Sequence, residues 1–203
     1  MYNKQRIVVG IDEAGRGALA GPVVAAALMF SPTGLENLQK NLRFLGDSKK
    51  LSPRQREIIF QALKDMSGIA WEAARASEKE IDSKGIGEAS KLAMARALIK
   101  LEEKTKLKAN LVLIDGNIRL PVKRKQKGII RGDAKIPQIK LASVAAKVFR
   151  DKIMRHYAKK YFFYGFDKHK GYGTEEHIKA IVKFGPCPIH RKSFTPISLL
   201  LEK

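Results

Sequence analysis

The chain has 203 residues, and its 40 Lys and Arg against 20 Asp and Glu give a formal net charge of +20. A hydrophobic content of 44% in a chain of this length supports one domain with its own core and argues against general disorder. The longest apolar run, residues 23–30, is too short to cross a membrane, and a lone cysteine, Cys187, excludes an intrachain disulfide and a multi-cysteine zinc site.

Strands and helices alternate along the first half of the chain. Apolar residues predict strands at residues 6–11 and 22–30, joined by a glycine-rich turn at residues 14–21. A helix is predicted to begin at Ser52, because a capping hydroxyl, a following proline and Gln55 form a start signal. A strand at Ile69–Ala76, a second capping box at residues 77–80 and an amphipathic helix over about residues 87–103 are expected to follow.

The same alternation continues in the second half. Residues 110–114 form a continuous apolar run, which predicts a strand that is buried on both faces and ends at Asp115. Residues 141–157 are predicted to be helical, and Thr174 is expected to cap a last helix that reaches Phe184. The order of elements predicts an α/β fold, in which helices flank a mixed sheet.

Acidic residues stand at the ends of strands, although basic residues outnumber them two to one. Asp12 and Glu13 end the first strand, Asp115 ends the strand at residues 110–114, and Asp133 follows the short apolar run at residues 128–132. Gathered carboxylates repel one another and favour a bound cation. Because no Cys or His accompanies them, Mg²⁺ or Mn²⁺ is expected, and two such ions could promote phosphodiester hydrolysis. Taken singly, each acid could instead be a turn or cap residue.

The positive charge favours a nucleic acid as the partner, with basic surface kept for solubility as the alternative. The basic segments at residues 123–127 and 168–170 are expected to hold backbone phosphates. The turn with Gly15, Arg16 and Gly17 could bind a phosphate or a sugar through its backbone, or it could be only a tight connection that needs glycine.

Seven short motifs together resemble the ribonuclease HII family, the type 2 ribonucleases H. The first, at residues 10–17 with 21–23, is similar to the opening motif of that family. The others follow in family order over nearly the whole chain: residues 46–52 (GDSKKLS), 114–117 (IDGN), 132–133 (GD), 143–151 (SVAAKVFRD), 169–174 (HKGYGT) and 185–191 (GPCPIHR).

This resemblance implies an endonuclease with a ribonuclease H-like fold, formed by residues 1–203 as a single catalytic domain with a helical C-terminal part at about residues 155–203. It would cut the RNA strand of RNA–DNA hybrids, and it would cut duplex DNA on the 5′ side of an embedded ribonucleotide. The products would carry a 3′-hydroxyl and a 5′-phosphate. The resemblance assigns the metal-binding and catalytic roles to Asp12, Glu13, Asp115 and Asp133, with two Mn²⁺ or Mg²⁺ ions when substrate is bound.

The resemblance also implies substrate contacts. The backbone of Gly15, Arg16 and Gly17 would contact the 2′-hydroxyl of the ribonucleotide, which distinguishes RNA from DNA. Tyr172 would pack on the next sugar, although it could instead be a core-capping aromatic residue. Phosphate contacts are expected from three further residues, Lys49, Lys50 and Ser143. His169 and His190 could be ordinary hydrogen-bonded surface residues.

Other features refine this expectation. Lys140 and Leu141 stand where the family has small residues, and Asp151 is interpreted as a structural acid that pairs with a neighbouring base. The chain has no extension of the ribonuclease HIII type, no recognisable clamp-binding tail and no apolar segment before residue 7. We therefore expect a cytoplasmic monomer. The alternatives are another metal-dependent nuclease of the same broad fold and a non-catalytic basic nucleic-acid-binding protein.

Overall fold

A central five-stranded sheet organises the chain in the computed structural model, which describes residues 6–202 except for residues 32, 35 and 37–50. The strands are β1 (Val8–Ala14), β2 (Val23–Phe30), β3 (Ile69–Ala76), β4 (Leu111–Asp115) and β5 (Gln126–Ile129). The helices are α1 (Pro53–Asp65), α2 (Glu78–Thr105), α3 (Gly132–Lys135), α4 (Pro137–Lys160), α5 (Phe166–His169), α6 (Glu175–Phe184) and α7 (Ile197–Leu201). This arrangement confirms the predicted α/β fold with a mixed sheet between helices.

The strand order β3-β2-β1-β4-β5 places β1 at the centre of the sheet. Strands β1, β2 and β3 are antiparallel neighbours, whereas β4 and β5 run parallel to β1. In the parallel pair, Ile11 lies opposite Ile114. The residues that follow them, Asp12 and Asp115, are therefore brought to the same end of the two strands.

Start signals in the sequence are confirmed at the two capping boxes. Ser52 Oγ accepts a hydrogen bond from the Gln55 N–H, and the Gln55 side chain accepts one from the Ser52 N–H. Ser77 and Glu80 repeat this arrangement at the start of α2. The sequence indicated separate helices after residue 77, and this is confirmed, because non-helical backbone at Gly85, where φ is 76° and ψ is 155°, divides α2 into two helical segments.

Helices cover both faces of the sheet. Helix α2 packs on one face, in an apolar cluster with Ile11 and Ala27. Helices α1 and α4 pack on the other face, around Ala26 and Leu28. Helix α4 lies so close to β1 that a Cβ atom built at Gly10 would overlap Gln138 and the backbone of Ile139. Glycine at position 10 therefore permits the contact between α4 and the central strand.

Three predictions about local structure were confirmed only in part. Strand β4 is not buried on both faces, because Val112 and Ile114 are buried whereas Leu111 and Leu113 are only half-buried. Helix α6 begins as predicted, with Thr174 Oγ1 accepting from the His177 N–H, but it is followed by α7. Asp133 lies in the first turn of α3, since the chain turns into a short helix after β5.

None of the helices in the described residues is both long enough and apolar enough to cross a bilayer. This agrees with the short apolar runs of the sequence.

The C-terminal part packs against the sheet domain through α4 and contains a stack of three histidines. The rings of His169 and His177 are 4.3 Å apart between centroids, and those of His177 and His190 are 5.2 Å apart. Phe166 lies edge-on to His169 and His177. His177 and His190 are buried, so the expectation of ordinary surface residues was wrong for His190.

We predict that this histidine stack makes stability depend on pH. Burial lowers the pKa of His177 and of His190 to about 4, whereas an unfolded histidine has a pKa of about 6.5. The unfolded chain thus binds more protons between these values, and stability should fall as the pH drops from 6.5 towards 4. At pH 5 each histidine should cost roughly 1–2 kcal/mol of stability.

Calorimetric unfolding between pH 7.5 and 4.5 measures this effect. The His177→Asn variant should lose less stability over that interval than the original chain. His156→Asn is the matched control, because His156 is exposed on α4, and its slope should equal that of the original chain. Equal slopes for all three proteins would contradict the prediction.

Candidate active site

Asp12 is the buried acid at the centre of the predicted site. It faces α4, on the side of β1 opposite to Glu13, because neighbouring strand residues point to opposite faces. Its Oδ1 accepts a hydrogen bond from the Glu13 N–H at 2.7 Å, and its carboxylate also accepts one from the Ser143 side chain of α4. Ser143, predicted to contact phosphate, thus contacts the central acid.

The electrostatic environment of Asp12 opposes its negative charge. Burial raises the pKa of Asp12 well above its ordinary value, and the charges of Glu13 and Asp115 raise it further. The hydrogen bonds from Ser143 and from the Glu13 backbone act in the opposite direction. Carboxylates from β1 and β4 are therefore close enough to repel one another, as the sequence predicted for gathered acids.

Asp115 joins the end of β4 to the start of α3. Its Oδ1 accepts hydrogen bonds from the Gly132 N–H at 2.6 Å and from the Asp133 N–H at 3.4 Å. A Cβ at Gly132 would lie 2.6 Å from Ile139 Cδ1 and 3.3 Å from Asp115 Oδ1, so a larger residue there would require the Ile139 side chain to move. Asp133 is consequently held beside Asp115, even though it belongs to a different element.

Glu13 is engaged by a nearby base. Its Oε1 pairs with Arg16 Nη1 at 3.2 Å. Within the part of the chain that the structure describes, no group of three or more acidic, histidine or cysteine side chains is positioned to hold a metal ion. The structure therefore places Asp12 near Glu13 and Asp115, with Asp133 next to Asp115, but their oxygens are partly used in contacts within the protein.

The glycine-rich turn lies over two buried arginines, whose role was missed in the sequence. Arg191 donates from Nη1 to the Arg16 carbonyl at 2.7 Å, from Nη2 to the Gly15 carbonyl at 2.6 Å and from Nε to the Gly21 carbonyl at 3.0 Å. Arg150 donates to the carbonyls of Ala20 and Pro22. The carbonyl groups of the turn are thus directed inward, onto guanidinium groups.

These two arginines remain charged at neutral pH. Burial lowers the pKa of Arg191 to about 9, and the neighbouring charge of Arg150 adds to this effect. The pKa of Arg150 is also lowered by burial. In the sequence both residues stood inside recognisable motifs, at residues 143–151 and 185–191, but no signal showed that their partners would be main-chain carbonyls of residues 15–22.

Tyr172 lies at the edge of the same turn. It forms a backbone bridge with Ala18, its ring covers the Arg150 guanidinium at 5.3 Å from the centroid, and 41% of the residue is exposed. The alternative of a core-capping aromatic residue is therefore wrong. The ring is instead accessible at the surface beside Gly17, which is also exposed.

A basic cleft borders the acids. Its volume is about 180 Å³, and its lining residues are Leu51, Arg56, Asp133, Lys140, Ser143, Val144 and Lys147. Burial and the charge of Arg56 lower the pKa of Lys147. Arg56 and Lys147 were not among the predicted site residues, because only the packing of α1 against α4 brings them together.

The remaining predicted residues have different outcomes. Lys49 and Lys50 lie outside the described residues. Arg124, within a segment expected to hold phosphates, instead forms a two-point ion pair with Glu102, in which both nitrogen–oxygen distances are 2.8 Å. That expectation was wrong for Arg124. Leu141 is fully buried against α1 and the sheet.

Asp151 fits its structural interpretation. Its negative charge stabilises the protonated forms of Lys147 and Arg150, which lie on the same helix. Lys140, by contrast, lines the basic cleft, whereas Leu141 is buried in the core. The two residues that depart from the family pattern therefore have different surroundings.

Comparisons with known proteins agree with this geometry. The family described as Ribonuclease HII matches residues 9–197. The chain belongs to the ribonuclease HII family. A ribonuclease HII of Endomicrobium trichonymphae is 44% identical over 204 residues, covering all of this chain and 92% of that protein. Ribonuclease HII family members are endoribonucleases, and this chain is accordingly a ribonuclease H endonuclease.

Solved structures support the same fold. The ribonuclease H2 of Pyrococcus horikoshii OT3 superposes with a TM-score of 0.76 at 26% identity, covering 97% of each chain. The structure of Bst-RNase HIII in complex with Mn²⁺ has a TM-score of 0.73 at 18% identity and covers 97% of this chain and 70% of that one. The mixed sheet with flanking helices is therefore a ribonuclease H-like fold, as the sequence resemblance implied.

We predict that the glycine-rich turn requires glycine at position 15. A Cβ at Gly15 would overlap the Arg150 guanidinium, and φ at this residue is +93°. Gly15→Ala should destabilise the fold by at least about 2 kcal/mol and lower cleavage, because the turn would move away from Arg150. Gly17→Ala is the control for stability, since a Cβ there meets no atom within 4 Å. Equal unfolding free energies in urea for the two variants would contradict the prediction.

Proposed function

We propose that this enzyme cuts the RNA strand of RNA–DNA hybrids and cuts duplex DNA on the 5′ side of embedded ribonucleotides. The main support is one juxtaposition. The acids at the ends of β1 and β4 lie beside a glycine turn whose carbonyls are held inward by Arg191. A site that hydrolyses a phosphodiester and a surface that can contact a sugar backbone are thus adjacent.

The donor set fits a divalent cation. Asp12, Glu13, Asp115 and Asp133 offer only carboxylate oxygens, which suit Mg²⁺ and Mn²⁺. Burial and the charges of Glu13 and Asp115 raise the pKa of Asp12, and a bound cation would favour its ionised form. We propose that these four residues hold one or two such ions, which would activate water and stabilise the leaving oxygen. The Mn²⁺ complex of the structurally similar ribonuclease HIII supports this choice of metal.

The protein's own residues would orient the acids and the substrate. Ser143 holds the Asp12 carboxylate, and the N–H groups at the start of α3 hold Asp115. Glu13 would exchange Arg16 for the cation, which would release Arg16 at the exposed side of the turn. The backbone of Gly15, Arg16 and Gly17 would then contact the 2′-hydroxyl of the ribonucleotide.

The exposed ring of Tyr172 would pack on the following sugar. An added 2′-hydroxyl on that sugar would disturb this contact, and the enzyme would thereby recognise a junction from ribonucleotide to deoxyribonucleotide. Lys49, Lys50, Ser143 and the cleft residues Arg56 and Lys147 would bind backbone phosphates, which provide affinity without reading sequence.

We further propose that residues 1–203 act as a single catalytic domain and that the enzyme is a cytoplasmic monomer. The packing of α4 against both the sheet and the C-terminal helices supports the first proposal. The half-buried, free Cys187, whose pKa is raised to about 11 by partial burial, suits a reducing compartment.

We predict that Asp12→Asn and Asp115→Asn each lower the cleavage rate at least about a hundredfold. Each removes a negative charge from the cation site, but neither removes a phosphate contact. The dissociation constant for an uncut hybrid should therefore stay within about threefold of the original value. Cleavage is measured by gel assay with Mn²⁺, with Mg²⁺ and with a chelator. Asp65→Asn is the matched control and should keep full activity, because Asp65 is exposed at the end of α1. Full activity of Asp12→Asn would contradict the assignment.

We predict that Tyr172→Ala lowers the preference for a junction. The substrates are DNA duplexes with one or several ribonucleotides, and the compared quantity is kcat/KM for a single-ribonucleotide junction relative to a continuous hybrid. This ratio should fall about tenfold, because the ring that packs on the second sugar is lost. Phe162→Ala, which also removes an exposed aromatic ring, should leave the ratio unchanged. An unchanged ratio in Tyr172→Ala would refute the proposed role of Tyr172.

A further inference from the structure

The histidine stack (His169, His177 and His190) ends on the backbone that carries Tyr172. His177 Nδ1 lies 2.9 Å from the Tyr172 carbonyl, and His177 Nε2 lies 3.1 Å from His190 Nε2. The N–H of Cys187 points at His190 Nδ1 from 2.8 Å. A continuous chain of hydrogen bonds therefore runs from residue 187 through two rings to residue 172.

The contacts at the two ends of this chain favour one arrangement of protons. His190 Nδ1 lies 2.8 Å from the Cys187 nitrogen and 3.2 Å from the Cys187 carbonyl oxygen, so the shorter contact has Nδ1 accepting from the Cys187 N–H, with the His190 proton on Nε2. That proton is donated to His177 Nε2, and the His177 proton is consequently on Nδ1. From there it is donated to the Tyr172 carbonyl, which can only accept. Both rings are neutral in this arrangement, and each is held as a single tautomer.

His169 fixes the preceding residue in the same way. Its Nε2 donates to the Tyr164 carbonyl at 2.6 Å, so its Nδ1 is free of a proton and accepts from the Gly171 N–H at 3.2 Å. The Gly171 carbonyl accepts from the Leu19 N–H at 2.8 Å and from the Ala20 N–H. The Tyr172 segment is thus held between the stack on one side and the glycine-rich turn on the other.

Residues 171–173 belong to none of the strands or helices described above, and their strand-like contact is the backbone bridge from Tyr172 to Ala18. Gly171 has a φ of +83°, and a Cβ there would overlap the Ala20 carbonyl and approach Met154. The ring of Tyr172 is partly exposed and has the Arg150 guanidinium beneath it. The direction of the ring therefore depends on backbone atoms of residues 171 and 172, and two of these atoms are bonded to imidazole nitrogens.

We propose that the histidine stack is a positioning device for Tyr172, in which three neutral rings with fixed tautomers hold its backbone so that the ring can test the sugar next to the cleavage site. The proposal rests on the proposed function of Tyr172. In this proposal the three histidines do not contact the substrate, and they act only by positioning Tyr172.

The surroundings suit a neutral stack. Phe166 packs edge-on against it, and Tyr164 lies edge-on to His190. The charged groups that act on the stack are Asp167, Glu176 and Lys170, all near His169 at its outer end, and the Cys187 thiol accompanies its inner end. Because the outer charges are of both signs and the inner rings are buried, the neutral tautomers persist through the physiological pH range.

The tautomers can be measured directly by nitrogen-15 NMR of the imidazole rings at pH 7. We expect the proton on Nδ1 for His177 and on Nε2 for His169 and His190. Amide hydrogen exchange at residues 171–173 should be protected in the original chain and at least about tenfold faster in His177→Leu. A proton on Nε2 of His177, or a charged ring, would overturn the proposal whatever the cleavage data show.

Kinetics of single and double variants test the link to Tyr172. His177→Leu should lower the junction preference at least about fivefold, because the Tyr172 carbonyl, which also accepts from the Thr174 N–H, loses its side-chain donor. His177→Asn keeps an N–H donor at the position of Nδ1 and should retain the preference within about twofold. His156→Leu is the control, since His156 is exposed on α4, and it should change nothing. In a Tyr172→Ala background, His177→Leu should cause no further loss.

The outcomes separate the two proposals. If Tyr172→Ala lowers the junction preference but His177→Leu does not, the positioning role is wrong and the proposed function stands. If His177→Leu lowers the preference equally with and without Tyr172, the stack acts elsewhere and the positioning role is also wrong. If Tyr172→Ala changes nothing, the proposed function of Tyr172 fails first. Should His177→Leu not fold, His177→Asn and the NMR measurement decide the question.

Discussion

The close contact between α4 and the central strand β1 at Gly10 is the constraint on which the rest of the site depends. Because no side chain separates them there, α4 lies directly along the strand that carries Asp12. Ser143, one turn further along α4, reaches the Asp12 carboxylate. Arg150, two turns further, reaches the carbonyls of the glycine-rich turn. A single helix thus aligns the acids with the surface proposed to contact the substrate.

The site combines opposite electrostatic environments at short range. Acids gather at the ends of β1 and β4, where burial and mutual repulsion oppose the charge of Asp12. Directly beside them, the guanidinium groups of Arg150 and Arg191 are buried and donate their hydrogen bonds to main-chain carbonyls. A polyanionic strand that crosses this region would meet the positive turn and cleft, and a cation would be needed where it meets the acids. Part of the net charge of +20 therefore lies next to the acids, where it would attract the phosphates of a bound strand.

The C-terminal part positions the residues of the proposed substrate surface and supplies none of the four acids. Its helices pack around Phe166 and Met154, and its histidines bond to backbone atoms of the Tyr172 segment. The turn at residues 15–22 accepts hydrogen bonds from Arg191, and its Leu19 and Ala20 N–H groups donate to the Gly171 carbonyl. Sequence segments about 150 residues apart are in this way joined into one surface.

The sequence alone determined the main strands and helices and both capping boxes, and it singled out the four acids of the proposed metal site, because these features depend on local periodicity and on residue chemistry. Its motifs also indicated the ribonuclease HII family, which the comparisons confirm. The sequence did not distinguish Arg124, which forms an ion pair with Glu102, from the basic residues that line the cleft. Charge alone does not reveal a partner 22 residues away. Only the tertiary structure decided that Arg191 holds the turn and that three histidines form a stack. Those contacts join groups far apart in the chain, and the path of the backbone between them is set by packing of the whole core.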